Sequence, residues 1–208
     1  MILILSITFV IFMTQKVMQK LPQTKSIKHE GTLMNYMKIV PCDIANGPGV
    51  RVTLFCAGCN HHCPGCQNPT TWDPNGGQPF TDETLDKIVD LLRPDYIQGL
   101  TLTGGDPLLP ENRETVEKIV RRVWQEFEEK KDVWLWTGYK WEDLWNQDSL
   151  VVEILANINV LVDGPFIEAE KDISLPYMGS KNQRVIDIKW SLGYEEPTLW
   201  WTPEKKGK

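Results

Sequence analysis

Between positions 56 and 68 the chain reads Cys56-Ala-Gly-Cys59-Asn-His-His-Cys63-Pro-Gly-Cys66-Gln-Asn68, so four of its five cysteines fall within eleven positions. A short loop so dense in soft ligands has to close around a metal centre, and the rest of the fold must present that loop. Spacing narrows the choice of metal. Zinc sites usually join two Cys-x₂₋₄-Cys knuckles through a long spacer that folds the halves into a tetrahedron. Here only three residues separate Cys59 from Cys63. Ligands at i, i+4 and i+7 suit one corner of an iron–sulfur cube, with each thiolate on a different iron. With Cys59, Cys63 and Cys66 as ligands, a 4Fe–4S cluster keeps one iron without a protein sulfur. An open position on a metal is where a substrate binds, whereas a closed site is structural or relays electrons.

Cys56 keeps alternatives open. As a fourth thiolate it would close the cluster and make the chain a non-enzymatic electron carrier. As the last residue of the apolar run Val52-Thr-Leu-Phe-Cys56 it would instead pack in a strand as a small hydrophobe, which is the reading we favour. His61 and His62 could serve a structural zinc site, although a histidine in a loop is more often simply solvated.

The 208 residues fit one domain, short of a full eight-stranded barrel. A formal net charge of −6 speaks against nonspecific nucleic-acid binding, and clustered cysteines of odd count do not form a secreted disulfide framework. A reducing, cytoplasmic compartment is expected. Ile2 to Met13 is apolar, but its length is short of the ~20 helical residues that cross a bilayer, and it lacks a basic start and a small-residue cleavage site. No membrane association is expected, an N-terminal membrane anchor being the minor alternative. Met34-Asn-Tyr looks like an ordinary protein start, so residues 1–33 are read as a disordered extension or a misassigned start. Residues 34–190 are read as the domain and 191–208 as a loose tail.

Tyr36 to Ile44 reads as extended, and Asn46-Gly47-Pro48-Gly49 turns the chain into a short strand from Arg51 to Cys56. The metal loop leaves the carboxyl end of that strand, where α/β sheets gather ligands. Thr81 to Leu92 reads as a helix capped by Thr81, with Leu85, Ile88, Val89 and Leu92 on one face. Gly99 to Thr103 is a strand running into Gly104-Gly105-Asp106-Pro107. A longer helix spans about 111–130, with Val116, Ile119, Val120, Val123 and Phe127 inward. Val133 to Thr137, Ile158 to Val162 and Arg184 to Ile188 complete the strands, with short helical pieces at Trp141–Trp145 and Leu150–Ala156. Alternating strands and helices predict an α/β fold, an open partial (β/α) barrel of five or six mostly parallel strands.

Two motifs together carry a resemblance. Cys59-x₃-Cys63-x₂-Cys66 and the glycine-rich Gly104-Gly105-Asp106-Pro107 resemble the signature pair of radical S-adenosylmethionine enzymes. Asn46-Gly-Pro-Gly-Val-Arg51, Cys63-Pro-Gly-Cys66-x-Asn68, Gly76-Gly-Gln-Pro-Phe80, Trp136-Thr-Gly-Tyr139 and Val160-Leu-Val-Asp-Gly164 are similar to the branch that activates anaerobic ribonucleoside-triphosphate reductases. Gly65, where many members of the wider superfamily carry an aromatic residue, fits this branch.

The resemblance implies a glycyl-radical activase. An external one-electron donor, such as flavodoxin, reduces the cluster. The cluster cleaves S-adenosylmethionine, and the resulting 5′-deoxyadenosyl radical takes a hydrogen atom from a glycine Cα in the large subunit of the reductase. It also implies that Gly65, Cys66 and Gln67 lie against the adenosyl part of the cofactor, and Gly104, Gly105 and Asp106 near its methionine part. Asp106 is alternatively a cap of the following helix, and Asn68 and Asp163 are candidates for supporting or partner contacts. Trp72, Trp141, Trp145 and Trp200 are candidates for a docking face, since tryptophan is enriched at interfaces. Activation of a formate-lyase type of glycyl-radical enzyme is the neighbouring alternative.

Overall fold

The structure, a computed structural model, describes residues 34–144 and 148–202. The expected extension, Trp145 and the last six residues of the tail lie outside the described residues. Seven strands run in the order of the chain: β1 (Asn35–Asp43), β2 (Val50–Cys56), β3 (Gln78–Pro79), β4 (Ile97–Gly104), β5 (Asp132–Trp136), β6 (Val160–Asp163) and β7 (Arg184–Asp187). Among the described residues, four α-helices lie between strands, α1 (Asp82–Leu92), α2 (Arg113–Phe127), α3 (Trp141–Leu144) and α4 (Ser149–Ala156), and α5 (Ile188–Ser191) follows the last strand.

The strands form one sheet in the order β3-β1-β2-β4-β5-β6-β7. β2, β4, β5 and β6 are parallel neighbours, while β1 pairs antiparallel with both β2 and β3, and β7 pairs antiparallel with β6. This corrects the expected partial barrel of mostly parallel strands: the fold is an open mixed sheet in which three of six pairings are antiparallel. The links explain the difference. Residues 44–49 between β1 and β2 are too few for a parallel crossover, which takes about a dozen residues or more, so the chain can only turn back on itself. Between β6 and β7 lies a strap, residues 164–183, whose only helical piece is the 3₁₀ turn Glu168–Glu170. Without a crossover helix, β7 returns antiparallel.

Local signals place the helices. Thr81 caps α1 through a reciprocal box with Thr84, and Leu85, Ile88, Val89 and Leu92 are all buried. Pro110 opens a 3₁₀ turn, Pro110–Asn112, so α2 begins at Arg113 rather than at Glu111. The stripes of α1, α2 and α4 pack with Val52, Leu54, Leu100, Leu102, Leu135 and Leu161 into one core. Alternation along the strands sends Trp134, Val160, Val162 and Val185 to the opposite face, where Trp136, Tyr177, Met178 and Trp201 cover them.

That second face contains a fully buried Arg51. Its Nε donates to Thr101 Oγ1 at 2.8 Å and its Nη2 to the Leu100 carbonyl at 2.8 Å, with Asp132 Oδ1 at 2.6 Å and the Trp134 ring 5.6 Å away. Thr101 Oγ1 in turn donates to the Asn46 carbonyl at 2.7 Å, fixing the turn that precedes β2. Arg51→Met should therefore cost about 3 kcal/mol, near the low end for breaking a buried pair because Asp132 keeps some contact with water. A lower midpoint of urea unfolding at unchanged slope would show it.

The described part of the tail is not loose. Trp200 N donates to Val185 O at 2.8 Å and Asp187 N to Thr198 O at 2.9 Å, which covers the exposed edge of β7. The Trp200 ring stands edge-on to Trp134 at 4.9 Å.

Candidate metal centre and its cavity

The cysteine loop starts where β2 ends, at the carboxyl edge of the parallel strands. Its base is tied down by Ala57 N to Asn35 O at 2.9 Å, Gly58 N to Thr71 O at 2.8 Å and Cys59 N to Trp72 O at 3.1 Å. Cys59, Cys63 and Cys66 are partly exposed and free of disulfides, whereas Cys56 is fully buried in the core beside Val52 and Leu54. Burial, reinforced by the negative charge of Asp106, pushes the Cys56 thiol far above the ordinary thiol range, so it stays protonated. This agrees with Cys56 as a core residue. Burial also raises Cys59, opposed by the nearby backbone amides of His61 and His62. The amide of Asn68 donates to Cys66 Sγ at 3.4 Å. Amides aimed at sulfur suit thiolate ligands of an iron–sulfur cluster, whose potential such bonds tune. Among the described residues no three His, Cys, Asp or Glu side chains converge tightly enough to hold one metal ion. A cube, with each thiolate on a different iron, asks for spread and not convergence.

Beside the loop lies a cavity of about 330 Å³. Cys66, Gln67 and Asn68 form one wall, Asn46 and Thr103 contribute from the sheet side, and Trp136, Tyr177 and Gln183 help close it. None of the lining side chains carries a formal charge, so the cavity suits a ligand with uncharged polar edges and a flat ring or a peptide backbone. The strap also presses on the metal loop. Gly65 has φ +72, a backbone conformation that favours glycine, and the exposed Glu168 carboxylate lies 2.8 Å from where a Cβ would sit. Of the cofactor residues expected from sequence, Cys66 and Gln67 line this cavity, with Gly65 adjacent in the chain. Gly104, Gly105 and Asp106 are not part of its lining.

The glycine turn meets the base of the loop instead. Gly105 N donates to Cys56 O at 2.9 Å and Asp106 N to Gly58 O at 2.7 Å. The two motifs are thus brought together by backbone contact.

Asp106 is buried, and its carboxylate accepts from Leu108 N at 2.8 Å, Thr137 Oγ1 at 2.9 Å and Gly138 N at 2.9 Å, with His61 Nε2 at 2.8 Å. It does not cap α2, which starts seven positions later. His61 is therefore held by a buried carboxylate through Nε2 and is largely withdrawn from solvent. Asn112, not singled out from sequence, is buried and bridges Ala57 O and Asp106 O at 2.9 Å each. Its only sequence signal is an amide just ahead of a helix, which usually means a cap. Asp163 is buried, accepting from Trp141 N at 2.8 Å and Arg184 Nε at 3.1 Å. Trp141 is fully buried and so cannot belong to a docking face. Trp72 packs on His62 with ring centroids 4.8 Å apart.

Residues 45–186 match the family described as 4Fe-4S single cluster domain. The chain is 49% identical over 158 residues to a protein of Escherichia coli strain K12, covering 75% of this chain and 100% of the relative. It is 48% identical over 154 residues to one of Enterobacteria phage T4, covering 73% and 93%, and 45% identical over 152 residues to one of Vibrio cholerae, covering 72% and 96%. Each of these relatives carries the name anaerobic ribonucleoside-triphosphate reductase-activating protein.

Proposed function

The chain belongs to the anaerobic ribonucleoside-triphosphate reductase-activating protein family, and on that premise we propose that it generates the glycyl radical of such a reductase through an open 4Fe–4S cluster and S-adenosylmethionine. The observation that carries this reading is the division among the four clustered cysteines. Three are partly exposed on one loop beside an uncharged cavity, and the fourth is sealed in the core.

Cys59, Cys63 and Cys66 would hold the cluster, leaving one iron for the cofactor. With both groups bound, the cluster would supply one electron to a carbon–sulfur bond of the cofactor's sulfonium, releasing methionine and a carbon radical able to take a hydrogen atom from a glycine Cα. The chain's own residues do the rest. The backbone of Gly65, Cys66 and Gln67 would face the adenosyl part, next to the amide-rich wall of Asn46, Asn68 and Gln183. The cofactor's amino group, a donor, would pair with a carbonyl oxygen of the turn, whose Gly105 and Asp106 amides are already donated to Cys56 and Gly58. Trp136, Phe166, Leu175 and Met178 give the cavity apolar patches that, with the glycine loop of the partner seated in its mouth, would limit the access of water to a species that attacks most C–H bonds. The cavity mouth would receive the glycine loop of the reductase large subunit, and the electron would come from an external donor such as flavodoxin. No helix among the described residues is long and apolar enough to cross a membrane.

The test is to incubate the chain anoxically with the reductase large subunit, S-adenosylmethionine and a reductant. A glycyl-radical doublet in the paramagnetic resonance spectrum is expected, dependent on all four components. A reductase that remains radical-free with cluster-loaded chain present would contradict the proposal.

A further inference from the structure

We propose that His61 and Asp106 act as a positioning pair that sets the spacing between the cysteine loop and the glycine turn, and hence where a cofactor held by the turn sits relative to the cluster. The inference rests on the functional reading above. Its geometry is independent of that reading.

The two backbone bonds from the turn reach only the base of the loop, at Cys56 and Gly58. His61 extends that attachment to the loop's middle, two residues after Cys59 and two before Cys63. Its Nε2 lies 2.8 Å from Asp106 Oδ2. The same carboxylate accepts from Leu108 N, Thr137 Oγ1 and Gly138 N, so one buried group joins the loop, the turn and the end of β5. A carboxylate only 2% exposed is costly unless donors surround it, and a full set of donors makes its position rigid. The ring of His61 is held as firmly. It stands edge-on to Tyr139 at 4.7 Å, and it fills the space over Gly138, where a Cβ would come within 2.3 Å of the ring. A shift of His61 therefore moves the backbone between two cluster ligands. Supporting bonds of this kind orient the ligands of metal sites without touching the metal.

The test compares His61→Phe, which keeps the ring packing but lacks the N–H, with His61→Gln, whose side-chain amide can still donate to Asp106. Asp106→Asn keeps one acceptor oxygen and replaces the other, with its charge, by an amide nitrogen that cannot accept, at nearly constant volume. In the full-length, metal-free chain, amide exchange across residues 59–66 should quicken in His61→Phe and return toward wild type in His61→Gln. In the reconstituted chain, His61→Phe should keep wild-type iron while binding S-adenosylmethionine on the order of 10–100-fold more weakly, as disturbed supporting residues of metal sites do. His61→Gln should stay within about threefold of wild type, because the donated bond survives.

Tight cofactor binding by His61→Phe would overturn the proposal, as would a His61→Gln variant no better than His61→Phe. Loss of iron from a folded His61→Phe chain would also overturn it, because the pair would then shape the ligand loop itself rather than its spacing. Should Asp106→Asn fail to fold, the two His61 variants decide the matter. Should wild-type cluster ignore S-adenosylmethionine, the functional reading fails, and the exchange comparison alone decides whether the pair holds the loop.

Discussion

Replacing Cys59, Cys63 or Cys66 by alanine is expected to empty the cluster site, with iron falling from about four atoms per chain toward none. Reductase activation should fall by more than about a hundredfold, since losing a direct ligand must cost more than losing a supporting residue, itself worth about 10–100-fold. Fold stability of the metal-free chain should change little, because all three side chains are partly exposed. Cys56→Ala should behave in the opposite way. Its sulfur is buried among core side chains, so the variant should lose about 1–2 kcal/mol of stability to the small cavity while keeping its iron. Iron analysis and urea unfolding on the four single variants separate the two patterns. Loss of iron from Cys56→Ala would restore the closed, four-cysteine centre.

Gly105→Ala should damage both the fold and cofactor binding. A Cβ at this position would lie 2.3 Å from the Gly58 carbonyl oxygen and 3.0 Å from that of Cys56. Both obstacles are backbone, so no side chain can swing away. The turn and the loop must separate, which breaks the bonds from Gly105 N to Cys56 O and from Asp106 N to Gly58 O. Each bond contributes about 1 kcal/mol and leaves buried polar groups costing about 1–3 kcal/mol when unmade, so a loss of about 3–5 kcal/mol is expected. Cofactor binding should suffer even in the molecules that fold. A thermal scan and a cofactor titration on the variant check both parts, and wild-type values in both would show that the close approach is not required.

Much of the fold was legible because its signals are local. Thr81 followed by the spaced Leu85, Ile88 and Leu92 specifies α1 within a dozen residues, and short β-branched runs mark β2, β4, β5 and β6. Strand direction was not legible in the same way. It depends on whether a link can carry a crossover, and the strap between β6 and β7 reads as ordinary loop sequence although it sets the orientation of β7. The two-residue β3 has no pattern at all, being paired only because it lies beside β1.

At the site, spacing left Cys56 open as a fourth ligand, and only the apolar strand run that ends on it favoured packing, which agrees with its burial. The role of His61 was hidden because its partner is 45 residues away, and only the register of β2 beside β4 brings them together. Trp141 illustrates the opposite error. Residue type suggested a docking surface, but α3 turns this side chain into the core, where its Nε1 donates to Glu195 O at 3.1 Å.

The central claim is that three cysteines leave one iron open to S-adenosylmethionine. Electron paramagnetic resonance on anoxically reconstituted, dithionite-reduced chain, recorded with and without S-adenosylmethionine, tests it most directly. A reduced 4Fe–4S signal whose g-values shift on adding the cofactor is the predicted result. A cluster signal indifferent to the cofactor, or zinc in place of iron, would contradict it.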